Sequence, residues 1–338
     1  MLKIGIICPS EIALRRFMPA LGKIEGVEFV GLGVPTATER FGESLPFQEL
    51  VDEILNEEKN KAQIHVEQFG GKIFEGYATI ASSPEIDALY IPLPPALHFK
   101  WAKFALENGK HVLVEKPSTI KATDSAELVE IARSRGLALH ENYMFQFHDQ
   151  LSAISNFVES GEIGDVRLYR LAFGFPKRAE GDFRYMKALG GGSLLDAGGY
   201  TVKYATMLLG ETVKIVHSHL NYTDEYDIDL YGSATLVNDK GVTAQIAFGM
   251  DNSYKNELEV WGSKGTIYSG RVLTAPDGFV PNMVVRKGND EEIIELPSDD
   301  TFGKSIQYFL DCITDEAIRE VSYTAIVKQA ELIDRILG

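Results

Sequence analysis

Short apolar runs alternate with longer amphipathic stretches through roughly the first 140 residues. The runs LKIGIIC (2–8), VEFVGLGV (27–34), DALYIPLP (87–94), KHVLVEKP (110–117) and LALHEN (137–142) each predict a strand. Between them, 11–23 has helical spacing through Ile12, Phe17 and Leu21. LHFKWAKFALENG (97–109) reads as a helix that stops at Gly109, and 121–135 reads as another. The polar stretch 42–72, rich in Glu and Lys, predicts a surface helix, not a domain of its own. Strands that alternate with helices predict a parallel sheet covered on both faces.

From about residue 165 the pattern changes. VRLYRLAFGF, a helix around 194–209, then IDLYGSATLVN, VTAQIAFGM, NELEVWG and GTIYSG follow, joined by turn signals such as Asn238-Asp239-Lys240-Gly241. Successive alternating strands without helices between them predict a mostly antiparallel sheet. The expected organisation is a Rossmann domain over 1–120 and an α+β domain over 121–338. The helical stretches 301–312 and 322–337 are expected to pack back on the first. The long strands expose apolar residues unless something covers them, which predicts a homodimer or homotetramer through the open sheet.

The length, 338 residues, suits about two domains. No apolar run approaches the roughly 18 residues of a membrane span, and MLKIGIICPS followed by EIALRR reads as a buried strand rather than a signal peptide. The net charge of −16 opposes nucleic-acid binding. Cys8 and Cys312 stand in unrelated contexts and suggest no disulfide or metal site. Two buried free thiols in a cytosolic protein are expected.

The candidate chemistry begins at the first strand-to-helix turn. A dinucleotide site needs a tight turn whose backbone approaches the pyrophosphate at a helix N-terminus. Here the three glycine positions of the G-x-G-x-x-G pattern hold Cys8, Ser10 and Ala13. By itself this turn is equally an ordinary strand–helix connection. Pro9, Ser10, Glu11 and Ile12 are the candidate pyrophosphate contacts, with fewer backbone donors than usual because Pro9 has no N–H. After the second strand the chain reads GLGVPTATER, with no acid at the strand end where a ribose-binding carboxylate would sit. Thr36, Thr38 and Arg40 can hold a 2′-phosphate, so NADP is preferred over NAD. Lys116 follows an apolar strand and therefore sits at the carboxyl edge of the sheet. An ammonium there can stabilise negative charge developing on a substrate oxygen.

Four segments, LYIPLPPALHFKWAKFALENGKHVLVEKP (89–117), ENYMFQFH (141–148), GGGSLLDAGGY (190–200) and LEVWGSKGTI (258–267), stand in the order found in the glucose-fructose oxidoreductase / inositol dehydrogenase (Gfo/Idh/MocA) family. The chain resembles that family over nearly its whole length. The resemblance implies NAD(P)-dependent hydride transfer at a hydroxyl or keto carbon of a sugar. It implies that Glu115-Lys116-Pro117 carries the catalytic lysine and that Leu93, Pro94, His98, Glu115 and Lys116 lie along the cofactor, with a capping or packing role as the alternative for His98. Where many members carry His followed three residues later by Asp, this chain has Tyr200 and Lys203. That resembles the tyrosine-bearing branch, which includes nucleotide-sugar ketoreductases, and implies Tyr200 as the proton donor or acceptor. Lys116 and Tyr200 are then expected to face one active site from different domains. Tyr143, Arg184 and Asp196 are candidate substrate contacts. Asp196 is equally a helix cap, and Arg184 equally a partner in a salt bridge. Free-sugar or dihydrodiol dehydrogenase activity, or a non-catalytic dinucleotide-binding regulator, are the alternative functions.

Overall fold

In the computed structural model, which describes residues 1–43 and 45–338, the apolar runs of the first part become six strands: β1 (Leu2–Ile7), β2 (Val27–Val34), β3 (Lys72–Glu75), β4 (Ala88–Ile91), β5 (His111–Glu115) and β6 (Leu139–Asn142). They pair in parallel in the order β3-β2-β1-β4-β5-β6. Parallel strands need crossovers, and the helices that supply them bury both faces of the sheet. That is why β4 and the centre of β5 are wholly buried and read as unbroken apolar runs. The strand order reverses between β1 and β4, and loops at the carboxyl ends of these two strands frame the crevice where open α/β sheets bind ligands.

This unit comprises Met1–Thr119, Thr123–Asn142 and Phe302–Val327. The expected boundary at 120 is therefore too early. The segment 123–142 ends in β6, the edge strand of the parallel sheet, and hydrogen bonds to β5 hold it there. The polar stretch after β2 forms a long helix, Gln48–Phe69, as expected.

The second unit, Ile120–Ala122, Tyr143–Thr301 and Lys328–Gly338, holds eight strands. They are β7 (Val166–Phe175), β8 (Lys214–Thr223), β9 (Tyr226–Val237), β10 (Thr243–Met250), β11 (Lys255–Gly262), β12 (Thr266–Gly270), β13 (Asn282–Lys287) and β14 (Asp290–Glu295). The order is β14-β13-β12-β11-β7-β10-β9-β8, antiparallel throughout except for the β7–β10 pair. Alternation sets the two faces. Tyr169, Leu171, Phe173, Ile246, Phe248, Leu258 and Val260 point into a core that includes helix Gly199–Leu209. Tyr231, Trp261, Tyr268 and Ile293 stand on the other face and are exposed.

Candidate active site

In the first unit the turn after β1 keeps the course that glycine would allow. Cys8, at the first glycine position, has φ +86°. A non-glycine residue rarely adopts that conformation, and it costs roughly 1–2 kcal/mol. The turn spends some of its own donors. The Ser10 N–H donates to the Cys8 carbonyl at 2.9 Å, and the Ser10 hydroxyl accepts the Ala13 N–H at 3.2 Å. Pro9 contributes no N–H, so Glu11 and Ile12 carry the turn's remaining backbone donors. The Glu11 side chain is exposed and pairs with Arg15 at 2.8 Å. The helix then runs through a π-helical turn, Ala13–Phe17, a local geometry common at functional sites. Phe17 stacks on Tyr90 of β4 at 3.9 Å and fixes that turn across the strand reversal.

Lys116 leaves the end of β5, and the residues around it are tied down. Part of Glu115 reaches the surface, yet its carboxylate is enclosed, accepting Tyr90 Oη–H at 2.6 Å and Asn142 Nδ2–H at 2.6 Å. Asn142 is in turn held by the Ser305 hydroxyl at 2.7 Å. Burial raises the Glu115 pKa, against the pull of Tyr90, Asn142 and the Lys116 charge. Glu115 thus braces the strand end through Tyr90 and Asn142. His98 likewise has no exposed surface. Its Nδ1 lies 2.7 Å from the Pro117 carbonyl and its Nε2 2.6 Å from the Leu93 carbonyl. His98 is thus buried, with a carbonyl at hydrogen-bond distance from each ring nitrogen. Through those carbonyls it fastens the loop after β4, Leu93 and Pro94, to the Lys116–Pro117 segment. A neutral ring can donate to only one of the two carbonyls. Burial nevertheless pulls the ring down to about 4, the Lys116 charge adding to it and the two carbonyls opposing.

At the end of β2, Thr36, Thr38 and Arg40 are all exposed, and Arg40 makes no salt bridge among the described residues. Thr36 caps the short helix Ala37–Phe41 through a capping box with Glu39. Glu39, the next acid along the chain, has its carboxylate engaged by backbone N–H groups.

In the second unit, Gly190-Gly191-Gly192 leads into the helix that carries Tyr200. A Cβ on Gly191 would lie 2.4 Å from the Arg184 carbonyl oxygen, and one on Gly192 (φ +127°) would lie 2.4 Å from Asp229 Oδ1. The glycines therefore let two neighbours close in. One is Asp229 of β9, whose buried carboxylate accepts the Ser193 hydroxyl at 2.6 Å and the Leu194 N–H at 2.7 Å. Asp229, not Asp196, caps this helix. Burial raises its pKa, against the hydrogen bonds from Ser193 and Leu194. Asp196 lies within a second π-helical turn, Leu194–Gly198, and pairs with Arg184 Nε at 2.7 Å. Arg184 also reaches Asp182 at 3.2 Å. The salt-bridge alternative for Arg184 is thus realised in the structure.

Tyr200 sits among the rings of Tyr143, Phe145 and Phe173 at 5.3–5.6 Å, with its hydroxyl 4.0 Å from the Met144 thioether and 7% of its surface exposed. Tyr143 is fully buried. Its hydroxyl fills the space that Gly199 leaves open, where a Cβ would approach to 2.1 Å, and Gln329 Nε2 lies 3.4 Å from it. Tyr143, expected as a substrate contact, is thus packed between Gly199, Gln329 and the neighbouring rings. Asp229, Asn142 and Ser305 had not been singled out from the sequence. The one local signal was an acid between Ile228 and Leu230 in an apolar strand. Among the described residues no His/Cys/Asp/Glu cluster could hold a metal ion. Cys8 and Cys312 are unpaired, and Cys8 is partly exposed where burial had been expected.

Comparison with known proteins places both units. The oxidoreductase family with an NAD-binding Rossmann fold matches residues 26–143, and the GFO/IDH/MocA C-terminal domain matches residues 151–268. A dTDP-3,4-didehydro-2,6-dideoxy-alpha-D-glucose 3-reductase of Actinomadura kijaniata is 35% identical over 336 residues, 99% of this chain and 94% of its own length. The crystal structure of KijD10, a 3-ketoreductase from the same organism in complex with NADP and TDP-benzene, superposes with a TM-score of 0.90 at 33% identity, covering 99% of this chain and 97% of that one. A tyrosine-to-phenylalanine variant of KijD10, with the same two ligands, also gives a TM-score of 0.90, at 32% identity and the same coverage.

Proposed function

The chain belongs to the Gfo/Idh/MocA oxidoreductase family, and on that premise we propose that it is an NADPH-dependent ketoreductase acting at C3 of a dTDP-linked keto-sugar. The observation that carries the proposal is the near full-length similarity to dTDP-sugar 3-reductases in a chain that retains both Lys116 and Tyr200. The residues fit the cofactor. Cys8 holds the glycine-like turn at the β1 end, Glu11 and Ile12 offer backbone donors beside it, and Thr36, Thr38 and Arg40 present hydroxyls and a cation without an opposing free acid.

When bound, NADPH supplies the hydride that converts the ketone carbon to an alcohol carbon. Tyr200 gives the proton that the substrate oxygen needs, and Lys116 stabilises the negative charge that grows on that oxygen. The Phe145, Phe173 and Tyr143 rings pack around Tyr200 and hold its ring in place. Asp229 holds the start of its helix in place. The unpaired thiols fit a cytosolic enzyme. The exposed Tyr231, Trp261, Tyr268 and Ile293 support association of two or four copies through the open face of the eight-stranded sheet, which light scattering at micromolar concentration tests.

The activity is tested by NADPH consumption with a dTDP-linked 3-keto-sugar, beside free sugars and dihydrodiols with NADP. Turnover confined to the nucleotide-linked ketone is the expected result. Turnover with free sugars or dihydrodiols alone would replace it with the corresponding dehydrogenase.

A further inference from the structure

Glu39 is the first acid after the end of β2 along the chain, where a free carboxylate would favour NADH by binding the ribose hydroxyls and repelling a 2′-phosphate. Its carboxylate is not free. Oε2 accepts the Thr36 N–H at 2.8 Å and the Tyr77 N–H at 3.0 Å, and Oε1 accepts the Ala78 N–H at 2.9 Å. The Glu39 N–H in turn donates to Thr36 Oγ1 at 3.3 Å, completing the capping box. Two segments 38 residues apart in sequence are joined by this one side chain: the turn 36–40, and the start of helix Tyr77–Ser82. Gly76 allows the close approach. It has φ +105°, and a Cβ there would lie 2.9 Å from Thr79 Oγ1 and 3.4 Å from the Thr36 methyl. The result is a turn whose negative charge is met by three N–H dipoles, while the side chains of Thr36, Thr38 and Arg40 stay exposed.

We propose that Glu39 is a positioning residue that sets the preference for NADPH over NADH, by fastening the turn 36–40 so that Thr36, Thr38 and Arg40 together receive the adenosine 2′-phosphate. The inference rests on the NADPH reading above. Glu39 contributes through what it removes and what it holds. Engaged by three donors, its charge no longer competes with a phosphate, and the anchored turn spares the ligand the entropy of ordering the backbone that carries the three side chains.

The test is calorimetric titration of the full chain with 2′,5′-ADP and with ADP, which isolates the 2′-phosphate from the nicotinamide and from turnover. NADPH and NADH titrations run beside them. The wild type is expected to prefer 2′,5′-ADP by about ten- to a hundredfold, the scale of a charge-assisted contact. Glu39→Gln places an amide where only acceptors fit. It is expected to weaken 2′,5′-ADP roughly tenfold, and ADP by less than about twofold. In the Arg40→Ala background the same change is expected to matter less, because the two residues serve one subsite. A thermal melt of each variant with and without ADP establishes that the domain is folded. Equal weakening of both ligands would make Glu39 a general structural tie and sink the proposal. So would tighter 2′,5′-ADP binding in Glu39→Gln, which would mean that the charge still opposes the phosphate. If the wild type shows no preference at all, the NADPH reading falls and the inference with it. A wild-type preference that survives in both the single and the double variant removes the inference alone.

Discussion

The turn after β1 and the turn into the Tyr200 helix solve the same geometric problem in opposite ways. Both bring a chain sharply into a helix, both need a residue at positive φ, and both continue through a π-helical turn, Ala13–Phe17 in one and Leu194–Gly198 in the other. The first has lost its glycines and holds Cys8 at φ +86°. The second keeps Gly190, Gly191, Gly192, Gly198 and Gly199. The difference lies in what surrounds each turn. Around Gly191, Gly192, Gly198 and Gly199, protein atoms occupy the space a side chain would need: the Arg184 carbonyl, the Asp229 carboxylate, the Leu194 and Phe248 side chains and the Tyr143 hydroxyl all lie within 2.1–3.1 Å of where a Cβ would stand. At Cys8 the demand is on the backbone conformation, which a small side chain meets at moderate cost. At Gly191, Gly192, Gly198 and Gly199 a glycine is required for volume, whereas at Cys8 the requirement is one of conformation alone.

The largest expected effect separates chemistry from binding. Tyr200→Phe keeps the ring within its aromatic cluster and removes the hydroxyl. Turnover should fall by roughly a hundred- to ten-thousandfold, with NADPH affinity little changed. Lys116→Ala should be at least as damaging. Substitutions in the first turn should instead move Kd and leave kcat nearly alone. Steady-state kinetics with parallel cofactor titrations read both quantities. Near-normal kcat in Tyr200→Phe would remove the second turn's catalytic role and with it this division of labour.

Next comes the packed glycine itself. Gly192→Ala forces a side chain to φ +127° and drives a methyl onto Asp229 Oδ1, the group that caps Ser193 and Leu194. Backbone strain and overpacking together should destabilise the protein by roughly 2–4 kcal/mol. The shift in urea midpoint at constant slope measures it. A loss below about 0.5 kcal/mol, within the usual scatter of surface substitutions, would show that the turn tolerates side chains as the first one does.

Much of this arrangement was legible along the chain, and the gaps have a common cause. Lys116 at the end of HVLVE, the parallel order of the early strands and the antiparallel later sheet follow from local periodicity. What escaped depends on partners remote in sequence. β6 reads Leu-His-Glu-Asn and carries only one apolar side chain, yet all four residues are buried, partly because Ser305 and Ser322, more than 160 residues later, bond to His140 and Asn142. LALHEN reads as a strand in the sequence, but the contacts that bury its polar residues come from these remote serines. Glu39 meets Tyr77, His98 meets Pro117 and Asp229 meets Ser193 across 38, 19 and 36 residues. Each partner lies outside the stretch of sequence around the residue it holds, so local periodicity does not show the contact.

Acid titration sharpens the same contrast with a smaller effect. His98, beside the first site, is held down to about 4 by burial first and the Lys116 charge second. In the unfolded chain a histidine takes up its proton near 6.5. The unfolded state therefore binds the proton first, so folding stability falls as pH drops from about 6.5 to about 4 and is flat below. The full span is on the order of 3 kcal/mol. Asp229, beside the second site, is raised by burial, so its folded form takes up a proton before the unfolded form does and stability gains on acidification. Urea unfolding of wild type against His98→Gln and Asp229→Asn, at steps between pH 7 and 4, should give difference slopes of opposite sign. Slopes of the same sign would mean that the two carbonyls keep His98 protonated in the folded chain.

The smallest effect tests the replaced glycine directly. Cys8→Gly relieves a backbone conformation worth roughly 1–2 kcal/mol. It also removes a side chain whose thiol is packed inward against Tyr77, where burial first and the Glu58 charge second push it up to about 12, so it stays a neutral thiol. Losing that small side chain costs about 1 kcal/mol, and glycine's extra freedom when unfolded costs roughly 0.5–1 kcal/mol more. The terms nearly cancel, so stability should change by less than about 1 kcal/mol in either direction. Binding is not subject to the same cancellation. A glycine lets the backbone come closer to a pyrophosphate, so NADPH affinity should rise roughly two- to fivefold. Cofactor titration beside urea unfolding separates the two effects. Tighter binding at unchanged stability is the expected pair. A loss above about 2 kcal/mol would mean that Cys8 is held by packing as tightly as Gly192, and the two turns would then differ in residue type but not in kind.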